Sequence, residues 1–354
     1  MSDDAGRHVR RKRYRGSHPR NFSEKYKERD PEAYREDVDR VLARGDTPAG
    51  SHRSICVEEI LEALGPRAGE IAVDATLGYG GHAREILRAV LPGGRLFGFD
   101  LDSDELPKTA RRLAAGGIPE GAFVPVHANF SRLAEVVSDA GLEGVDLFIA
   151  DLGVSSMQID DPARGFSFKR RGPLDMRMDR GRGDSARDYL AKIEEGALCD
   201  VLMTNADEPE AAGIAHAICL RRGELSTTRD LAEAICAAFP AVPFKDPTMQ
   251  KALRRSFQAI RIEVNGEFSA LERLLADLPS CLKAGGRAAI LAFHSGEDRR
   301  VEAAFMDGRE KGLYSSVAPE PIRPGREERY DNPRSSSAKL RWAVRSAVPI
   351  ASSA

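Results

Sequence analysis

Three carboxylates and a run of glycines carry the first chemical signal. Asp74 opens D-A-T-L-G-Y-G-G-H-A-R-E (Asp74 to Glu85), Asp100 closes F-G-F-D, and Asp151 closes D-L-F-I-A-D. Each acid follows a short apolar run and so reads as the last residue of a strand. Gly78, Gly80 and Gly81 let the backbone pass close under a ligand, and the helix that begins after them turns its free amides toward it. A carboxylate at the end of the next strand, Asp100, can accept both hydroxyls of a ribose, the competing reading being a plain turn residue. A glycine turn alone also suits a dinucleotide, but D-x-x-x-G-x-G-G is not the G-x-G-x-x-G frame and favours a nucleoside ligand without a pyrophosphate. His82 is either part of that site or a helix-start residue.

The stretch after Asp151 is the second signal. It runs L-G-V-S-S-M-Q-I-D-D, then P-A-R-G-F-S-F-K-R-R-G-P-L-D-M-R-M-D-R-G-R, with neither helical nor strand period. Such a mixture of Gly, Arg, Phe and Met fits a structured functional loop. Phe166 and Phe168 are candidates to stack on a base, or equally to anchor the loop. Lys169, Arg170, Arg171, Arg177, Arg180 and Arg182 are candidate phosphate contacts. Asp175 and Asp179 lie in the same run, and His294 and Asp298 lie at and just beyond a later strand end; all four are candidate acid–base groups beside Asp151, with structural roles as the alternative for His294 and Asp175.

Strand-like runs at Ile71–Ala75, Arg95–Asp100, Phe123–His127 and Val145–Asp151 alternate with helical segments such as Ala83–Val90 and Leu133–Ala140, and Val57–Leu64 has helical spacing before them. That rhythm predicts an α/β fold with a mostly parallel, doubly wound sheet. From Ser155 to Asn265 no central strand is expected; amphipathic stretches at Ala186–Glu195, Ala211–Arg221 and Thr228–Ala238 predict a helical insertion. The α/β pattern resumes with a helix over Phe268–Ala284, a turn at Gly285-Gly286 and a strand over Arg287–His294. Leu313–Ser337 reads as a long surface loop and Lys339–Arg345 as a last strand. The expected division is therefore an arm at 1–50, a sheet domain at 51–155 and 266–346, an inserted helical domain at 156–265 and a tail at 347–354.

At 354 residues and 42% hydrophobic, the chain can bury a sizeable core. Its net charge of −2 gives no overall field for nucleic acid, so any such contact must come from local patches. One is the loop just described; the other is R-H-V-R-R-K-R-Y-R (Arg7 to Arg15), within an Arg-rich arm expected to be mostly disordered apart from a helical patch near Pro31–Arg44. No run approaches a membrane span and the N-terminus lacks a signal-peptide core, so the expected location is the cytoplasm. The five cysteines (Cys56, Cys199, Cys219, Cys236, Cys281) are scattered and never spaced C-x-x-C, which points to reduced thiols and no metal.

The glycine turn and Asp100 together resemble the S-adenosylmethionine site of class I methyltransferases. More specifically, Asp74 through His82, Asp151-Leu-Gly-Val-Ser-Ser156, Arg164-Gly-Phe-Ser-Phe168, Gly172 through Asp179, Ser256 through Ile262 with Val264-Asn265, and Phe293-His-Ser295 with Glu297-Asp-Arg299 are similar, in order, to the motifs of the RsmH (MraW) family, from about His52 to Arg345. The resemblance implies a class I, Rossmann-like methyltransferase sheet with an inserted helical domain, S-adenosyl-L-methionine as cofactor, and methylation of N4 of a cytosine in the decoding region of 16S ribosomal RNA. It assigns Gly80, Gly81 and His82 to the methionine and ribose side, Asp100 to the ribose, Phe130 to the adenine, and Asp151 and Gln158 to completing the site; it also suggests a homodimer. C5 methylation of cytosine would need a nucleophilic cysteine in the loop after the fourth strand, and that loop has none, which favours N4 independently. The sequence departs from the family at His52-Arg-Ser-Ile-Cys-Val, at Asn205-Ala-Asp-Glu208 where the family reads Tyr-Gly-Glu-Glu, and at Gly296 where it has leucine. Those departures keep two other readings open: a paralogue acting on another nucleic acid, and a cofactor-binding assembly factor with little catalysis.

Overall fold

A computed structural model describes residues 54–347. The basic arm, and all of the tail except its first residue, lie outside the described residues. Seven strands form one sheet in the order β3-β2-β1-β4-β5-β7-β6. They are β1 (Ile71–Asp74), β2 (Arg95–Asp100), β3 (Phe123–His127), β4 (Val145–Asp151), β5 (Leu282–Ala292), β6 (Tyr314–Val317) and β7 (Lys339–Arg345). β1 to β5 pair in parallel, and β7 runs antiparallel to β5 and β6. Helices α1 (Val57–Leu64), α2 (Gly81–Val90), α3 (Leu106–Ala115), α4 (Leu133–Asp139) and α5 (Ser156–Asp160) precede a helical block. The block contains α6 (Ala186–Lys192), α7 (Glu195–Ala206), α8 (Ala211–Leu220), α9 (Thr228–Ala237) and α10 (Pro247–Asn265). α11 (Glu267–Cys281), α12 (Ser295–Glu310) and α13 (Arg326–Asp331) complete the chain.

The central strands β1, β2, β4 and β5 are buried on both faces, as strands covered by crossover helices require. In β4, Phe148 and Ala150 face one apolar cluster with Leu271, Leu274 and Leu278 of α11, while Leu147 and Ile149 face another with Ile86 and Leu87 of α2. The helical block has its own core, in which Leu198, Ile214, Ile235 and Ile260 are fully buried. The sheet order reverses between β1 and β4. A crevice therefore opens above their carboxyl ends, where α/β sheets hold their ligands.

Several expectations are corrected. The stretch expected to be a loop holds β6 and α13. β5 starts at Leu282, not Arg287: pairing jumps from Val145 with Leu282 to Leu147 with Arg287, so Gly285 (φ 74°) makes an irregularity inside the strand rather than a turn before it. The helix expected over Ala186–Glu195 stops at Lys192, where Ile193 and Glu194 turn extended before α7. Among the described residues no helix is long and apolar enough to cross a membrane.

Candidate functional site

Strand ends and the glycine turn make one wall of the crevice. The buried Asp74 carboxylate accepts the Thr76 amide at 3.1 Å, and the Thr76 hydroxyl accepts the Asp151 amide at 2.6 Å, which ties the end of β1 to the end of β4. Leu77 N donates to Phe99 O at 2.8 Å, which holds the turn against β2. Gly78 (φ 47°) and Gly80 (φ 76°) are left-handed, and a Cβ on Gly80 would lie 2.8 Å from Thr109 Cγ2. From α3, Thr109 Oγ1 donates to Gly78 O at 2.5 Å and Arg112 donates to Tyr79 O at 3.1 Å, its guanidinium 4.2 Å from the Tyr79 ring centre. Thr76, Thr109 and Arg112 shape the turn, yet no spacing in the sequence marks them.

The charges of this wall are arranged for a ligand. Asp100 accepts Gly78 N at 3.0 Å on one oxygen and Asp102 N at 2.8 Å on the other, so each oxygen keeps a lone pair for a ribose hydroxyl. Burial pushes Asp100 up to about 6, against the two amides that pull it down. Burial does the same to Asp74, again to about 6, against His82 and the Thr76 amide. His82 Nε2 stands 3.7 Å from Asp151 Oδ2, an ion-pair distance. Burial favours neutral His82, but Asp151 and then Asp74 outweigh it and hold the imidazole above its ordinary value. His82 Nε2 and Asp151 Oδ1 are buried without a hydrogen-bond partner. The open His82 nitrogen fits the carboxylate of an amino-acid moiety, and the Asp100 carboxylate fits a ribose. The residues present therefore suit S-adenosylmethionine. Phe130 begins the turn after β3, half-buried against the core, behind an Asn129 cap.

The loop after β4 is ordered by ion pairs. Ser155 and Gln158 form a reciprocal cap on α5, so the Gln158 side-chain carbonyl is engaged with Ser155 N at 2.9 Å. Arg164 pairs with Asp102 at 2.6 Å and donates to the carbonyls of Arg177 at 3.2 Å and Met178 at 2.7 Å, which fixes this loop to the one after β2. Asn265, at the end of α10, latches the same run by accepting Met178 N at 2.7 Å and donating to Met176 O at 2.8 Å.

The other predicted residues divide between exposed and structural positions. Lys169, Arg170, Arg171, Arg180 and Arg182 are exposed. Phe166 is buried and the partly buried Phe168 packs edge-on to Phe257 at 5.5 Å, so both rings anchor the loop in the helical core. Asp175 is buried and grips Arg177 at 2.7 Å and Arg180 at 3.5 Å; burial raises its pKa, but the arginines bring it below the ordinary value. Asp298 is buried between Arg341, at 2.6 Å, and Lys339, which outweigh its desolvation and also hold it low. His294 caps α12, its Nδ1 accepting Glu297 N at 3.4 Å. Asp175 and Asp298 are thus occupied holding structure together, whereas His294 Nε2, 3.1 Å from Glu297 Oε1, and Asp151 Oδ1 are both buried without a hydrogen-bond partner.

The departures also have places. Asp207, left-handed at the end of α7 (φ 49°), accepts from Arg299 and Ser295 of α12, each at 3.1 Å. A Cβ on Gly296 would meet Phe268 Cζ at 2.6 Å, and Arg300 stacks on that ring at 3.6 Å. Cys56 is wholly buried, and burial with Glu59 and Glu328 pushes its thiol up to about 12; none of the five cysteines is in a disulfide.

Residues 49–346 match the MraW methylase family. The chain is 46% identical over 343 residues to ribosomal RNA small subunit methyltransferase H 1 of Lachnoclostridium phytofermentans, covering 96% of this chain and 93% of that one. It is 45% identical over 350 residues to ribosomal RNA small subunit methyltransferase H 2 of Alkaliphilus metalliredigens, covering 98% and 100%. Against ribosomal RNA small subunit methyltransferase H of a Geobacter species it is 40% identical over 307 residues, covering 82% and 97%. With its fold, its strand-end carboxylates and its glycine turn already in place, the chain belongs to the MraW methylase family.

Proposed function

We propose that this protein methylates the exocyclic N4 of a cytosine in the decoding region of small-subunit ribosomal RNA, with S-adenosylmethionine as donor. The observation that carries the reading is the crevice at the switch point. There Asp100 offers two open lone pairs, and His82 and Asp151 offer an unpartnered donor and acceptor, beside a loop with an exposed basic run. When bound, the cofactor supplies a methyl group on an electrophilic sulfonium. The protein orients: Asp100 accepts the ribose hydroxyls, His82 donates to the amino-acid carboxylate, and Gly80 and Gly81 bring the backbone close. The amine of cytosine is a weak nucleophile because its lone pair is delocalised into the ring. An acceptor for the amino protons favours pyramidal nitrogen, and Asp151 is the candidate with an open buried oxygen. Asp175, His294 and Asp298 position the walls.

RNA contact falls to Lys169, Arg170 and Arg171, with Arg180 and Arg182 beside them, while Arg177 braces Asp175. The target base must leave its stack to enter. Neutralising Lys169, Arg170 and Arg171 together is expected to weaken RNA binding and to lower the salt slope by about 0.7 to 0.9 for each phosphate no longer neutralised, with cofactor binding intact. The reaction is tested by incubating small ribosomal subunits lacking the modification with protein and labelled cofactor, then identifying the product nucleoside by mass spectrometry. N4-methylcytidine is the expected product. Label appearing only in another RNA would favour the paralogue reading. A homodimer, suggested by the family resemblance, is checked by sedimentation.

A further inference from the structure

The segment between β6 and β7 reaches back to the site. Its last turn, Pro333–Ser337, is held by the buried Ser335, whose hydroxyl donates to Asn332 O at 2.7 Å. From this turn the Arg334 guanidinium extends to α5. Nη2 donates to Asp160 Oδ1 at 2.6 Å and Nη1 donates to the Ser156 carbonyl at 3.2 Å. Those acceptors are the last and first residues of α5, so one planar group spans the helix end to end.

α5 needs that support. It has 5 residues, far below the length at which a helix sustains itself. Its N-terminus has the Ser155–Gln158 cap, and its C-terminal residue Asp160 has Arg334. α5 carries Gln158, and Met157, whose sulfur accepts the Tyr79 hydroxyl of the glycine turn. A tilt of α5 would therefore move the wall that faces Gly78 to His82.

We propose that Arg334 is a positioning residue for the cofactor pocket: by bridging Ser156 and Asp160 it sets α5, and with it Met157 and Gln158, against the glycine turn. The inference rests on the proposed function, because it takes that pocket to hold S-adenosylmethionine. The side chains of Arg334 and Asp160 are 36% and 23% exposed, so the pair adds little to global stability and its effect falls on local geometry. Lysine is a poor substitute, because an ammonium lacks the planar fork that serves two separated acceptors at once.

The test is calorimetric titration of S-adenosylhomocysteine into the wild-type protein and the Arg334→Ala, Arg334→Lys, Asp160→Asn and Arg334→Ala/Asp160→Asn variants, with KM and kcat for methyl transfer to unmodified small subunits. Arg334→Ala and Arg334→Lys are expected to weaken binding by about tenfold and to raise the cofactor KM alike, with kcat at saturating cofactor within about threefold of wild type. Thermal midpoints stay within about 2 °C, as for a partly exposed pair. Asp160→Asn, which leaves the bond to Ser156, gives a smaller loss, and the double variant binds no worse than Arg334→Ala alone. Wild-type binding with unchanged affinity in Arg334→Ala, or full rescue by lysine, overturns the positioning role and leaves the proposed function standing. Wild-type protein that neither binds S-adenosylhomocysteine nor methylates overturns both.

Discussion

If Asp100 holds the ribose as proposed, cofactor affinity is expected to depend on pH in a range where an ordinary aspartate would not titrate. Its carboxyl titrates at about 6, because burial outweighs the two backbone amides it accepts. Only the ionised form offers two acceptors to a ribose diol. About nine in ten molecules are ionised at pH 7 and about one in ten at pH 5, so the dissociation constant for S-adenosylhomocysteine is expected to rise about tenfold between them. Unfolding does not account for that loss: a carboxyl whose folded pKa is raised above 3.8 adds stability as pH falls below about 6, and it disfavours the fold above that. Nor does His82, which gains charge as pH falls and would hold a carboxylate more tightly. Asp74 titrates in the same window, and Asp74→Asn separates its share. The assay is calorimetry at pH 5, 6 and 7, with a thermal midpoint at each. Asp100→Asn should bind weakly at pH 7 and lose this component of the slope. Equal wild-type affinity at pH 5 and pH 7, or wild-type affinity in Asp100→Asn, would refute the ribose assignment.

Two predictions concern the walls of the site. Arg164→Met strands Asp102, both side chains being only about a tenth exposed, and is expected to cost about 3 to 5 kcal/mol in urea unfolding at pH 7. Burial raises the Asp102 pKa, but Arg164 and the amides of Glu105 and Asp104 bring it below 3.8, so the wild-type advantage is complete above about pH 4 and disappears as pH falls through the lowered value. A loss under about 1 kcal/mol would contradict the clamp. Gly296→Leu, which restores the family residue, must displace a Phe268 ring already covered by Arg300, and should cost about 1 to 3 kcal/mol; a neutral or stabilising result would show that the ring can give way.

The sheet was legible where a strand's own residues dictate it. Arg95–Asp100 and Val145–Asp151 are apolar runs ending in an acid, and both strands keep those limits. β6 was not, since Tyr314–Val317 buries only its two ends and becomes a strand through β7, its sole partner. The site shows the same division. A carboxylate at a strand end is one residue in a local pattern, so Asp74, Asp100 and Asp151 could be found by eye. The bonds that aim them join residues far apart: Thr76 to Asp151 across 75 positions, Arg164 to Asp102 across 62, and Arg334 to Asp160 across 174. No spacing rule reaches that far. For Asp175 and Asp298 local sequence shows a carboxylate and hides the cations around it, Arg177 and Arg180 for one and Arg341 and Lys339 for the other.

The place of β7 also has a consequence for the order of assembly. It is the last of the seven described strands in the chain, yet it lies between β5 and β6, and its Lys339 and Arg341 close on Asp298. The nascent chain can pair β1 to β5 in parallel before β7 is made, but the rim near α12 waits for the final strand. Until β7 is in place the sheet therefore keeps an open edge at β5, and the rim at Asp298 lacks Lys339 and Arg341.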